Sequence, residues 1–282
     1  MIAVAENKYG KSRVRLVKVK RKAGWHDLCE WTVEVLLQGD FDSCFLEGDN
    51  RQILPTDTMK NTVYSLARNS GAECGEDFAK ELIEFLLSRN PQVFAAEVSI
   101  AEKAWEHLQS GGKPQPTTFV QSTWETQTTK VVRTRGGEPA VNSGLDNLVL
   151  MKTSGSAFEG YIQDSLTTLP PAKDRLLGTA LRANWNYTRA DLEFSLLRTE
   201  AREILVRVFA GHDSKSVQHT LYAMGKAVLE EISEIEDIEL AMPNKHCLLL
   251  DLSRFGQDNP NEIFVPVDEP HGNIQARLRR QG

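Results

Sequence analysis

The stretch that decides the fold is residues 13–37, RVRLVKVKRKAGWHDLCEWTVEVLL. In its first part Val14 and Leu16 take one face, then Val17 and Val19 the other, which predicts a bulge or burial on both faces. In residues 31–37, Trp31, Val33, Val35 and Leu37 share one side and Thr32 and Glu34 the other. Two such runs in succession read as a pair of hairpin strands. Downstream comes a loop from about Gly39 to Pro55, then a helix from about Asp57 to Arg68 with Met59, Val63 and Leu66 as its apolar stripe. Thr56 or Asp57 is the natural N-cap of that helix. A second helix spans about Gly75 to Ser88, with Phe78, Leu82, Phe85 and Leu86 inward and Asn90-Pro91 as its stop. Phe94, Ala96, Val98 and Ile100 then alternate as a strand, Gly111-Gly112 marks a turn, and the Thr- and Val-rich residues 117–135 read as extended.

The second half repeats this order of elements with a period of about 140 residues, although no repeat of sequence is visible. A strand falls at Asn147–Thr153. A long excursion follows, with a short helix near Asp174–Thr179, and Trp185 and Tyr187 alternate in the next strand. Helices come at about Arg189–Phe209, with Leu192, Leu196, Ile204, Leu205 and Val208 inward, and at Lys215–Ile232. Strands at Ile235–Ala241, Cys247–Leu252 and Ile263–Val267 complete the set. Helices grouped against antiparallel strands give an α+β layer pattern. The polar, glycine-bearing stretch 136–144 is the natural divide, which gives expected units at 1–138 and 139–282. Each unit has too few strands to hide its sheet edges, and closure into barrels by self-association is one remedy.

Composition removes several classes. The 282 residues are 40% hydrophobic and 26% charged, with a formal net charge of −6, so disorder is excluded. No run of about 18 apolar residues offers a membrane span, and the N-terminus lacks the pattern of a secretory signal. Cys29, Cys44, Cys74 and Cys247 are too few and too scattered for a disulfide scaffold, which points to a reducing cytosol. The acidic balance argues against a nucleic-acid partner. Lys8, Lys11, Arg13, Arg15, Lys18, Lys20, Arg21 and Lys22 crowd the first strand, and read either as a polyanion patch or as a solvated strand face that discourages edge pairing.

Metal and cofactor templates are missing. The six histidines show no metal spacing; His212 and His219 are expected about two helical turns apart, too far to share an ion. No GxGxxG, GxxxxGK[ST] or GxSxG motif occurs. The remaining polar clusters are Tyr9-Gly10-Lys11, Leu54-Pro55-Thr56-Asp57-Thr58, Phe158, Arg175, Ser216-Val217-Gln218, and Asn244-Lys245-His246, the last expected between two strands. Each has a plain structural reading: Thr56 as a cap, Phe158 as core, Gln218 as a solvated side chain, Asn244 as a turn residue.

Taken together they carry a resemblance. YGKSRVRL at 9–16, TDTMKNTVY at 56–64, TSGSAFEGY at 153–161, TTLPPAKDRLLGT at 167–179, SVQHTLYAMG at 216–225, MPNKH at 242–246 and FGQDNPNEIF at 255–264 resemble the urate oxidase (uricase) family over nearly the whole chain. The resemblance implies a tandem tunnelling fold (T-fold): two ββααββ units with antiparallel sheets, assembling as homotetramers into barrels stacked as a tunnel, with active sites between subunits. It implies oxidation of urate by O₂ to 5-hydroxyisourate and hydrogen peroxide with no metal or organic cofactor. Lys11 and Thr56 would form the proton-accepting dyad, with His246 in the relay. Arg175, Gln218, the Val217 and Asp57 backbone N–H groups and the Phe158 ring would hold the purine. Asn244, with Thr56, would hold O₂ or water above it. Other T-fold enzymes acting on pterins or purines, or a non-catalytic purine-binding relative, are the alternatives. The chain ends in Arg280-Gln281-Gly282 rather than a Ser-Lys-Leu-like peroxisomal signal, so a bacterial, cytoplasmic enzyme is expected.

Overall fold

The computed structural model describes residues 2–121, 123–267 and 269–280; the last two residues of the C-terminal tripeptide read for targeting lie outside that set. In chain order the elements are β1 (Tyr9–Lys22), β2 (Trp25–Gly39), α1 (Asp42–Glu47), α2 (Thr56–Asn69), α3 (Gly75–Arg89), β3 (Val93–Lys103), β4 (Glu106–Ser110), β5 (Lys113–Val120), β6 (Thr126–Thr134), β7 (Ala140–Lys152), β8 (Leu177–Tyr187), α4 (Phe194–Gly211), α5 (Val217–Glu231), β9 (Ile235–Leu249), a 3₁₀ turn at Ser253–Phe255, β10 (Phe264–Val267) and β11 (Asn273–Arg279). The strand order is β1-β2-β3-β6-β7-β8-β9-β10, with β11 also on β9, and β4-β5 form a separate hairpin. The class is α+β with antiparallel sheet, as the alternating runs predicted. No helix among the described residues is long and apolar enough to cross a membrane.

The chain forms two compact units: Met1–Gly144 with Asn186–Arg198, and Leu145–Trp185 with Thr199–Gly282. In the first, β1 and β2 pair with Val14 opposite Val33 and Leu16 opposite Trp31. Trp31, Val33, Val35 and Leu37 are buried, each worth roughly 1.5–3 kcal/mol for a fully buried large apolar side chain. They form the floor on which α2 and α3 lie, through Met59, Val63 and Ala67 and through Phe78, Leu82, Ile83 and Leu86. The Trp31 and Phe78 rings stack at 5.1 Å. Several basic side chains of β1 are engaged within the unit. Lys18 and Lys20 donate to the Ser70 and Ala72 carbonyls at 2.7 and 2.9 Å, and Arg15 pairs with Glu30 at 3.0 Å. In the second unit α5 covers β9 and β11.

The bulge expected in the first strand exists but falls earlier, between Lys11 and Val14, with Arg13 in the left-handed region at φ 59°. Val17 is therefore exposed rather than buried on a second face. The N-cap of α2 is Pro55, and Thr56 is already helical; proline lacks an N–H, so it fits where the helix has no such donor to satisfy. Residues 174–179 are not a helix, because Leu177 already begins β8, and 189–193 precede α4 rather than belonging to it. Phe94 and Leu196 point outward. The turn at Gly111-Gly112 joins β4 to β5 as a hairpin, whereas helix α1 and strand β11 lie where the sequence pattern predicts no element. Asn244-Lys245-His246 lie inside β9 and not between strands. Pro243 does not break β9 because it sits where the strand changes partner, from β11 up to Pro243 to β10 from His246. The ladder is interrupted there in any case.

Candidate active site

In the first unit the start of β1 meets the start of α2. Tyr9 joins them: its hydroxyl accepts from the Leu54 N–H at 2.8 Å and donates to the Leu54 carbonyl at 3.2 Å. Between Tyr9 and Lys11, a Cβ on Gly10 would collide with the Val35 carbonyl oxygen, so only glycine permits this approach of β1 to β2. The bulge directly after Lys11 redirects the strand. Asp57 turns its carboxylate along the helix, to Lys60 Nζ at 2.5 Å and Asn61 Nδ2 at 2.9 Å. Lys60, with smaller contributions from Asn61 and the Lys11 charge, holds that carboxyl below its usual range. The first intrahelical bond of α2 is Met59 N–H to Pro55 carbonyl, 3.1 Å. The Asp57 N–H precedes it and lies at a helix end that favours anions.

The second unit holds Phe158, Arg175, Val217, Gln218, Asn244 and His246. Arg175 stands with its guanidinium 5.1 Å from the centre of the Phe158 ring, and Phe158 stacks on Tyr161 at 4.8 Å and 13°. Burial lowers the Arg175 pKa, yet an arginine so placed stays cationic. Arg175, Asn244 and His246 line one cavity of 620 Å³, with Gly178, Leu177 and Thr153 among its walls. Two polar atoms of this set, Arg175 Nε and Asn244 Oδ1, are buried without a hydrogen-bond partner. That is costly unless a ligand or water completes them. The Asn244 N–H donates to the Gly272 carbonyl at 2.8 Å, which fixes the residue at the partner change in β9.

Val217 and Gln218 open α5 behind Ser216, a true N-cap whose hydroxyl accepts from the His219 N–H at 3.1 Å. The Val217 N–H therefore lies at a helix start, while the Gln218 side chain lines a different groove, beside Tyr222 and β11. Lys11, Thr56 and Asp57 thus belong to one unit and the other six to the second. The two histidines expected far apart are close, their rings 4.3 Å from centre to centre; His212 precedes α5 in a non-helical turn, so helical spacing does not apply. His212 contacts Thr220 Oγ1 at 3.2 Å. Among the described residues no three His, Cys, Asp or Glu side chains come together as a metal site. Sequence reasoning passed over Tyr9 as a tether and Asp174, the neighbour of Arg175, as an anchor; only the position of each inside a quoted motif pointed to them.

In an antiparallel α+β protein, a cavity lined by Arg175, Asn244 and His246, with the Phe158 ring against the Arg175 guanidinium, has the chemistry to take a small polar or anionic ligand. A family model described as "Uricase" matches residues 7–132 and 141–275. The chain is 36% identical over 281 residues to the uricase of Arthrobacter globiformis, covering 100% of this chain and 91% of that one. It is 35% identical over 283 residues to the uricase of Dictyostelium discoideum, covering 99% and 98%. The crystal structure of the Arthrobacter globiformis uricase superposes with a TM-score of 0.95 at 35% identity, covering 100% and 96%. The chain belongs to the uricase family.

Proposed function

We propose that this protein is a urate oxidase that converts urate, O₂ and water to 5-hydroxyisourate and hydrogen peroxide. The observation that carries this is the Arg175–Phe158 pair beside a cavity containing Asn244 and His246, in a chain of this family. Triplet O₂ reacts poorly with closed-shell molecules, but a urate dianion is electron-rich enough to donate one electron to it. The protein's tasks are then to remove a proton and to hold both reactants in place.

Thr56 and Lys11 accept the proton, and His246 passes it on. Arg175 offers its planar fork to a carbonyl and the adjacent ring nitrogen. The Gln218 amide donates and accepts along the other edge, and the Val217 and Asp57 N–H groups add donors at helix starts. Phe158 stacks under the ring. Asn244, whose buried Oδ1 lacks a partner, holds O₂ and later water above it, together with Thr56. No metal or organic cofactor enters this scheme.

The same reading makes residues 1–138 and 139–282 tandem T-fold units. In support, both β2 and β8 bury a tryptophan, Trp31 and Trp185, whose ring N–H lacks a partner. Four chains would close barrels stacked as a tunnel. Lys11, Thr56 and Asp57 would come from one protomer, and Phe158, Arg175, Val217 and Gln218 from its neighbour. The four unpaired thiols suit a cytoplasmic enzyme. The test is metal-free protein mixed with urate in aerated buffer, following the loss of urate absorbance and the appearance of peroxide. Matched loss and peroxide are expected; silence would overturn the reading in favour of a non-catalytic relative.

A further inference from the structure

Residues 153–176 carry two of the proposed substrate contacts, Phe158 and Arg175, yet contain no regular strand or helix. Something other than a ladder must hold them. The Asp174 carboxylate accepts from Ser154 Oγ at 2.7 Å and from the Ser156 N–H at 3.2 Å. Directly beside it the Arg175 N–H donates to the Ser156 carbonyl at 2.8 Å. Phe158 and Ala172 exchange both of their backbone bonds, at 2.7 and 2.9 Å. The strap continues to α5. Ala157 N–H donates to the Ser214 carbonyl at 2.7 Å, Ser214 N–H to the Gly155 carbonyl at 3.0 Å, and Ser214 Oγ to the Ser216 carbonyl at 3.0 Å. Ser216 is the cap that precedes Val217 and Gln218.

We propose that Asp174 is a positioning residue for urate binding. It clasps the 153–158 turn to the 174–175 turn and so sets where Arg175 and Phe158 stand relative to each other and to the start of α5. The proposal rests on the urate reading of Arg175. The hydroxyl of Ser154 and the backbone N–H groups of the turn also hold the Asp174 carboxyl below its usual range, so the acceptor is charged at neutral pH. Charge-assisted bonds of this kind are the strong ones. Asp174 itself is exposed, so its removal leaves no cavity.

The experiment is steady-state urate oxidation by the full-length protein and its Asp174→Ala, Asp174→Asn, Arg175→Ala and Asp174→Ala/Arg175→Ala variants, with equilibrium binding of xanthine as a non-reacting purine probe. Asp174→Ala should raise KM and weaken xanthine binding by about tenfold with kcat nearly kept, which is the signature of lost uniform binding. Asp174→Asn, which keeps a side-chain carbonyl to accept from the Ser156 N–H, should be milder. The double variant should be no worse than Arg175→Ala, because Asp174 acts through Arg175. An unchanged KM in Asp174→Ala, a loss confined to kcat, or additive losses in the double variant would overturn the proposal. If Asp174→Ala fails to fold, Ser154→Ala must raise KM in the same sense, and an unchanged KM there overturns it equally. If Arg175→Ala itself leaves KM unchanged, the reading of the site falls first. A shift in Arg175→Ala with none in Asp174→Ala overturns only the clasp.

Discussion

Gly10 contributes no side chain, and the placing of Lys11 depends on that. A methyl group there meets the Val35 carbonyl and the Leu36 backbone, and backbone cannot yield as a side-chain tip can. Gly10→Ala should cost about 1–3 kcal/mol, as overpacking does, seen as a lower urea midpoint, and urate oxidation should fall with it. Lys11→Met and Thr56→Ala should each cut turnover by about 10²-fold, the scale of a general base, while xanthine still binds. Near-parental turnover in both would falsify the dyad. Arg175→Ala should instead act mainly on binding. Two thiols make a separate test. Burial pushes Cys29 up to about 11 and Cys74 up to about 12, so neither should be alkylated by iodoacetamide at neutral pH in the native protein, whereas both should react in urea.

At the scale of elements, the cap of α5 matters because Val217 and Gln218 follow it. Ser216→Ala should cost about 1 kcal/mol, measured by denaturant titration. Next to this cap, burial, then the neighbouring His219 and Lys152, lower the His212 pKa from 6.5. Between 6.5 and that lowered value the unfolded chain binds the proton more readily, so stability should fall as pH drops below 6.5. His212→Asn should flatten that part of the pH–stability curve. The same elements show what could be read in advance. The alternation at 31–37 and the stripes of α2 and α3 were legible because one buried face imposes a period. The partner change of β9 at Pro243 was not, since the reason a proline is tolerated there lies in β10 and β11, strands far along the chain. Nor was the meeting of His212 with His219, which a turn rather than a helix brings about. The proposed site residues stand out as a set only through family motifs, and none could be told by spacing alone from a cap or a core side chain.

At the scale of the molecule, the proposed site residues divide between two units. If the site is completed by a neighbouring protomer, activity should vanish on dissociation. Gel filtration and assay over one dilution series should show both falling together, and an active monomer would exclude a shared site. Within the first unit, Glu76 is fully buried, accepts a hydrogen bond from Ser143 Oγ, and faces the nearly buried Arg198 at 3.6 Å. Arg198→Ala should cost about 3–5 kcal/mol in thermal or urea unfolding, because it leaves a buried carboxylate without its cation.

That pairing bears on how the gene can be cut. Arg198 is encoded in the second half of the chain but neutralises a charge in the first unit, as part of the segment Asn186–Arg198. A fragment stopping at Gly144 would carry Glu76 with no counter-ion. The segment Asn186–Arg198 is therefore a short return of the chain to the first unit. Splitting, permuting or shuffling the halves should succeed only where the fragment keeps that return with its proper owner.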